Sequence, residues 1–497
     1  MKDDVSKMRR WTKKEAWGSA LLFVLNLFIL LLIVAVLLMG GNLGNLKQTL
    51  EANKANYIYI AFCLFLLAVI TYFYFFFEDR IVLSEGKNVM MVFVILDVSL
   101  ILCVLTGRWL NIYARPVALC ALLTFLLLGR RSAMFMNVIS ALTLFIVDNF
   151  ATSAPSAQNI YSALMIAFTS GMVAIFAANR LKSRLRVVLV GVLIAVPMDF
   201  MIFLLEISTL AMNGASVSQE GAARNIWLNL GYGFGGGISS AILFLTLLPL
   251  FEAAFSVLTV FRLRELTSLD SPLLKKLKEE APGTYNHSAV VSQLAEECAA
   301  ALNEDAELAR AAALYHDVGK LHHPEYFSEN QGDYNLHDEL TPELSADIIR
   351  SHTSDGHDLI LANHLPQFFA DVAIQHHGTL TIGYFYGKAQ KMYGGEVNKE
   401  DFSYTGPKPQ SKIAAIIMIA DAAEAVTRAM ESKKPEDVEK RVRGIIEERM
   451  NQEQFAECNV TMEDLTILRI TLVNALTGVY HKRVKYPSIH YGKKEEE

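Results

Sequence analysis

All twelve histidines of this 497-residue chain lie between His287 and His490, and several stand next to aspartate or to each other: His287, His316–Asp317, His352, His376–His377, with Asp421 further on. Imidazole and carboxylate donors together suit Fe, Mn, Zn or Ni, whereas Mg or Ca take nearly all-oxygen shells. A carboxylate can bridge two ions with its two oxygens and an imidazole cannot. The set therefore fits two divalent ions sharing one aspartate, with imidazoles as terminal ligands. Two such ions lower the pKa of a bound water and clamp a phosphoryl group for in-line attack. Each residue taken alone is more often a surface or capping residue. Asp421 says more, because it interrupts an apolar run (IAAIIMIADAAEAVTRAM, 413–430) where an unpaired carboxylate is costly.

The elements that must position these groups read as helices. Val290, Val291, Leu294, Cys298 and Leu302 make one apolar stripe over 289–302. After a polar break at Asn303–Asp305, a second helix runs from Ala306 to about Asp317, with Gly319 as its stop signal. The 413–430 run is apolar enough to be a central helix. The fold class expected is all-α: a multi-span transmembrane bundle followed by an all-helical soluble half.

The first half has a different composition. Hydrophobic residues make up 53% of the chain, and the excess lies before about residue 262. Apolar runs of spanning length or near it fall at roughly 17–39, 57–77, 88–107, 112–129, 132–150, 159–178, 184–208 and 228–260. The first is longer than a signal-peptide core and reads as a retained span. The fourth and fifth are short and could form a re-entrant hairpin. Basic residues recur on alternate connections: Arg9, Arg10, Lys13 and Lys14; Arg80 and Lys87; Arg130 and Arg131; Arg180, Lys182, Arg184 and Arg186; Arg262 and Arg264. With eight spans, the positive-inside bias puts both termini in the cytoplasm. Asp97, Asp148, Asp199, Glu206 and Glu252 fall within or beside the spans, where interhelical hydrogen bonding is the simpler role and a ligand or ion site the other.

A net charge of −6 and the lack of a long basic run argue against a nucleic-acid polymer as partner. Cys63, Cys103 and Cys120 sit in apolar runs, and Cys298 and Cys458 are far apart, so no disulfide framework or CxxC site is indicated.

The run His316-Asp317-Val318-Gly319-Lys320 resembles the HDxGK signature of HD phosphohydrolases. The surrounding segments PGTYNHS (282–288), PEYFSENQ (324–331), LSADIIRSH (344–352), IQHHG (374–378), YFYGKA (384–389), GPKPQSK (406–412) and IADAAEAV (419–426) resemble one bacterial branch, the seven-transmembrane-receptor HD hydrolases. The resemblance implies a division into a cytoplasmic N-terminus (1–16), a transmembrane domain (17–262), a helical connector (263–281), an HD domain in the cytoplasm (282–485) and a charged tail (486–497). It implies one ion on His287, His316, Asp317 and Asp421 and a second on Asp317, His352, His376 and His377. Asp317 is then the bridge and a catalytic residue together with Lys320. Lys320 is expected to reach a substrate phosphate; Lys412, with Lys408 in the same loop, either faces the anionic substrate or is simply surface-exposed.

The family's activity is metal-dependent hydrolysis of cyclic di-AMP to linear pApA with Mn or Fe, by a protein of the bacterial inner membrane; a homodimer is compatible with it. Hydrolysis of another cyclic dinucleotide or a guanosine polyphosphate, or nucleotide binding without turnover, are the alternatives. Two departures stand out. Asn286 replaces a usual second histidine. Only about 17 residues, Gly40 to Asn56, occupy the place where the family carries an extracellular domain.

Overall fold

The computed structural model describes residues 13–39, 54–150, 157–178, 184–212, 221–332, 334–395 and 397–479. The Gly40–Asn56 connection lies largely outside the described residues, as do Arg9, Arg10, Arg180, Lys182, His481, His490 and the 486–497 tail. Among the described residues there is no β-strand, only an isolated antiparallel bridge between Thr381 and Ser403. The chain divides into two compact units, 1–261 and 262–497.

The first unit contains α1 (Lys13–Leu38), α2 (Lys54–Glu78), the short α3 (Arg80–Ser84), α4 (Gly86–Trp109), α5 (Leu119–Leu128), α6 (Arg130–Asn149), α7 (Ala157–Ala178), α8 (Arg184–Met212) and α9 (Ala222–Phe255). Seven of them are long and apolar enough to cross a membrane, and Ile112–Leu128 forms a shorter apolar segment. That segment is where a short span or a re-entrant hairpin was expected. It enters through a 3-10 turn at Ile112–Ala114, becomes α5 only at Leu119, and reverses at Gly129, whose φ of 95° favours glycine.

Non-helical backbone inside an apolar bundle must be covered by protein. Gly236 of α9 permits this: a Cβ there would lie 2.7 Å from the Tyr113 carbonyl oxygen. Asp148 pairs bidentately with Arg115 at 2.5 and 2.8 Å, both side chains being buried. Glu206 accepts from Tyr113 (3.3 Å) and Asn229 (3.0 Å), and Glu252 pairs with Thr259. One oxygen each of Asp97 and Asp199 is buried with no hydrogen-bond partner among the described residues. The last apolar run, expected over 228–260, is helical over 222–255; the helix ends where Ser256 turns left-handed at φ 53°.

Across the boundary at 261/262 runs α10 (Val260–Leu266), followed in the second unit by α11 (Pro272–Glu280), two helices where a helical connector was expected. Thr267–Ser271 breaks the run and Pro272 restarts it at a first-turn position that needs no backbone donor. There follow α12 (Pro282–Ala301), α13 (Ala306–Tyr315), α14 (Pro342–Ala362), α15 (Gln367–Gln375), α16 (Gly383–Tyr393), α17 (Lys412–Ala429), α18 (Pro435–Asn451) and α19 (Met462–Val479). Asp305 and Ser411 cap α13 and α17 by accepting from Leu308 and Ala414 N–H. α17 is buried along most of its length and packs on α12, α18 and α19, which makes it the centre of this unit.

Candidate metal centre

Five helix ends or faces deliver the polar side chains. α13 stops at Tyr315, whose buried hydroxyl donates to the Leu266 carbonyl and meets Ser271. His316 is therefore the cap and Asp317 leads a 3-10 turn over Val318–His322. The α-helix ends two residues before the expected Asp317, and the tighter turn aims two adjacent side chains into one space. Gly319 in that turn lies against α14: an added Cβ would sit 1.9 Å from the His352 carbonyl oxygen. α12 supplies His287, α14 supplies His352, the end of α15 supplies His376 and His377, and α17 supplies Asp421.

The rings are locked before any ion binds. His316, His352 and His376 each direct Nδ1–H to the carbonyl three residues back, on Ala313 (2.7 Å), Ile349 (2.5 Å) and Ala373 (2.7 Å), leaving Nε2 pointing inward. Asp317, 1% exposed, divides its two oxygens between two groups. Its Oδ2 lies 3.3 Å from His316 Nε2 and 3.7 Å from His287 Nε2. Its Oδ1 lies 3.5 Å from His352 Nε2 and 3.6 Å from His376 Nε2. Asp421 Oδ1 is 2.9 Å from His287 Nε2 and 3.8 Å from His316 Nε2, and its Oδ2 is 3.9 Å from His377 Nδ1. All seven expected ligands thus share one buried space.

The donor set fits divalent ions. Three overlapping triads, His352/His376/His377, His287/His316/Asp317 and His316/His376/Asp421, keep their donor atoms within 4.8 Å of one another. Ligands bonded at about 2.0–2.2 Å to a common ion sit about 3–4 Å apart, the separation found here. His316 Nε2 and Asp317 Oδ1 are buried yet lack a hydrogen-bond partner among the described residues, which is costly unless a cation completes them.

Charges inside the cluster are strongly coupled. Burial opposes the imidazolium form of His287 and His316. Contacts with Asp421 and Glu424 nonetheless raise His287 to about 9, and contacts with Asp317 and Asp421 raise His316 to about 10. Burial pushes His352 down, His376 well below the imidazole range and His377 to about 3, so these three stay neutral. Asp317 and Asp421 remain well below the usual carboxylate range despite burial: His316 and Lys320 act on the first, His287 and His316 on the second.

Lys320, expected to reach a substrate phosphate, lies between carboxylates, 2.7 Å from Asp317 Oδ2 and 2.8 Å from Glu329 Oε1, over the Phe327 ring. Lys412 pairs with Asp464 at 2.8 Å. It stands nine residues before Asp421 on α17, about 13 Å along the helix, and so apart from the cluster. Lys408 is partly exposed. His337 is buried and donates Nε2–H to the Tyr326 carbonyl, a structural role; His322, His323 and His357 face nearby carboxylates outside the cluster.

Three residues that sequence reasoning did not single out belong to the site. Glu329 holds Lys320. Glu424 meets His287 Nδ1 at 2.5 Å. Tyr404 stacks on His377 with ring centroids 4.4 Å apart. Glu329 and Glu424 both lie in quoted motifs, and Glu424 falls one turn after Asp421 on the same helix, a signal that could have found it.

Residues 54–259 match the family described as 7TM receptor with intracellular HD hydrolase, and residues 284–426 match the HD domain. The chain belongs to this family of membrane-bound HD hydrolases. It is 38% identical over 377 residues to the cyclic-di-AMP phosphodiesterase PgpH of Bacillus subtilis (strain 168), covering 76% of this chain and 51% of that protein. The PgpH of Listeria monocytogenes serotype 1/2a (strain 10403S) is also 38% identical, over 75% of this chain and 50% of that protein. The chain thus spans about half the length of the curated relatives it matches. A crystal structure of the L. monocytogenes PgpH HD domain in complex with cyclic-di-AMP is 46% identical, covering 43% of this chain and 100% of that chain, with a TM-score of 0.42. Within the family, Asp317 is the aspartate of the HD pair, and this chain sets each of its oxygens against a separate histidine group.

Proposed function

We propose that the chain is a metal-dependent phosphodiesterase of the bacterial inner membrane that hydrolyses cyclic di-AMP to linear pApA. The observation that carries this reading is the division of Asp317, with Oδ2 toward His287 and His316 and Oδ1 toward His352 and His376. Two relatives named as cyclic-di-AMP phosphodiesterases support the substrate.

His287, His316, Asp317 and Asp421 would hold one divalent ion and Asp317, His352, His376 and His377 the other; the mixed nitrogen and oxygen donors suit Fe, Mn, Zn or Ni, and the family resemblance narrows these to Mn or Fe. Two such ions supply positive charge for a phosphoryl group and a lowered pKa for bound water. The chain's own residues do the positioning. Backbone carbonyls keep Nε2 of His316, His352 and His376 inward, so the three nitrogens face the metal space without rearrangement. Lys320, matched by Glu329, fixes the Asp317 carboxylate in the orientation that serves both groups. Tyr404 covers the outer face of His377 and gives the site an aromatic wall.

The basic residues Arg80, Lys87, Arg130 and Arg131 sit at helix ends that fall on one side in an eight-pass arrangement counting Ile112–Leu128. The positive-inside bias then assigns that side, and the HD domain after Arg262, to the cytoplasm.

The test uses the full chain in detergent, loaded with Mn or Fe and given a panel of cyclic dinucleotides and guanosine polyphosphates. The expected result is pApA from cyclic di-AMP, with turnover falling at least about 100-fold in His316→Ala and Asp317→Ala while helical content is retained. Tight binding of nucleotide without product would favour a receptor, and product from another nucleotide would replace the substrate.

A further inference from the structure

His287 is held differently from the other buried histidines of the centre. His316, His352 and His376 give Nδ1–H to a neutral backbone carbonyl of their own helix. His287 lies on α12 and sets Nδ1 2.5 Å from the Glu424 carboxylate on α17, while its Nε2 lies 2.9 Å from Asp421. Glu424 is 1% exposed and follows Asp421 by three residues, so α17 presents one carboxylate to the cluster and a second to the back of the ring. A carboxylate behind a ligating imidazole fixes its tautomer and raises its basicity as a donor, and removing such a partner typically costs 10–100-fold in metal affinity.

The two halves of the cluster consequently differ in charge. The half built on His287 and His316 has Asp421 and Glu424 besides the shared Asp317. The half built on His352, His376 and His377 has the shared carboxylate and otherwise neutral rings. Lys320 does not cancel the difference, because Glu329 matches its charge at 2.8 Å, and Arg428, 4.0 Å from Glu424 Oε1, is exposed and screened by water.

We infer that Glu424 is a positioning residue that makes the His287/His316/Asp421 half the tighter of two metal positions, so that the ion among His352, His376 and His377 exchanges first. The inference rests on the two-ion reading proposed above.

The test titrates Mn into the full, chelator-stripped chain in detergent, reading free Mn by EPR and bound metal by elemental analysis. The wild-type chain is expected to show two classes of site. Glu424→Gln should weaken the tighter class by about 10–100-fold and leave the weaker one unchanged. Glu424→Asp should recover part of the loss, and His377→Ala should remove the weaker class alone. Circular dichroism of the metal-free variants checks folding, and Glu424→Asp carries the test if Glu424→Gln does not fold. A folded Glu424→Gln that keeps both classes at wild-type affinity overturns the inference while leaving the two-ion reading intact. A wild-type chain that binds no Mn overturns both.

Discussion

The same aspartate-histidine cluster that gathers metal donors also makes the metal-free protein sensitive to pH, and the sign follows from each ring. His287 and His316 are raised in the folded chain to about 9 and about 10, against about 6.5 when unfolded. Between those values the folded state binds more protons, so their contribution is full below about pH 6.5 and is lost as pH rises through 9 to 10. His352, His376 and His377 are lowered. Below about pH 6.5 the unfolded state takes protons these rings refuse, and stability falls as pH falls. Melting of the chelator-treated chain is expected to peak near pH 6.5 and to decline on both sides; a melting temperature flat from about pH 5 to pH 9 would contradict this.

Lys320 gives a second expectation at this scale. Lys320→Met leaves Asp317 and Glu329 buried without their cation and should cost about 3–5 kcal/mol in the metal-free chain, read by denaturant unfolding. The lysine was legible as part of a motif. Its partner was not, because Glu329 meets it through folding of the 324–331 segment rather than through helical spacing.

Among the elements, the turn after α13 decides whether the two histidine groups meet. Gly319→Ala would place a Cβ 1.9 Å from the His352 carbonyl. α14 must then move away, at a cost of about 1–3 kcal/mol, and carry His352 away from Asp317. The expected outcome is lower melting temperature together with loss of metal from the second position; unchanged metal content would contradict it. The helices of the soluble half were legible from apolar spacing, the polar break at Asn303–Asp305 and the Gly319 stop, while the caps at Asp305 and Ser411 were not read from the sequence. The break between α10 and α11 was not anticipated, although Pro272 marks it. The 3-10 turn at Asp317 was also missed, since a glycine stop signal does not say how the last turn tightens.

In the membrane half, Arg115 was not singled out, although it falls inside the 112–129 apolar run, because its partner lies on another helix 33 residues away. Its pairing with Asp148 resolves one of the intramembrane carboxylates as structural. Arg115→Met should leave Asp148 buried and uncompensated and destabilise the detergent-solubilised chain by about 3–5 kcal/mol. Arg115→Lys should recover only part of this, since a single ammonium cannot reproduce the bidentate contact. Thermal inactivation of the two variants against wild type measures the difference.

At the scale of the whole molecule, composition alone separated an apolar half from a histidine-rich half, and the structure divides at 261/262. Which ligands belong to which ion came from family resemblance, since spacing along a chain does not give distances between helices. The central claim is that one carboxylate serves two metal positions, and EPR of the Mn-loaded chain tests it most directly. The account predicts the signal of an exchange-coupled Mn pair, replaced by that of isolated Mn in Asp317→Ala. Isolated Mn in the wild-type chain at saturating metal would contradict it.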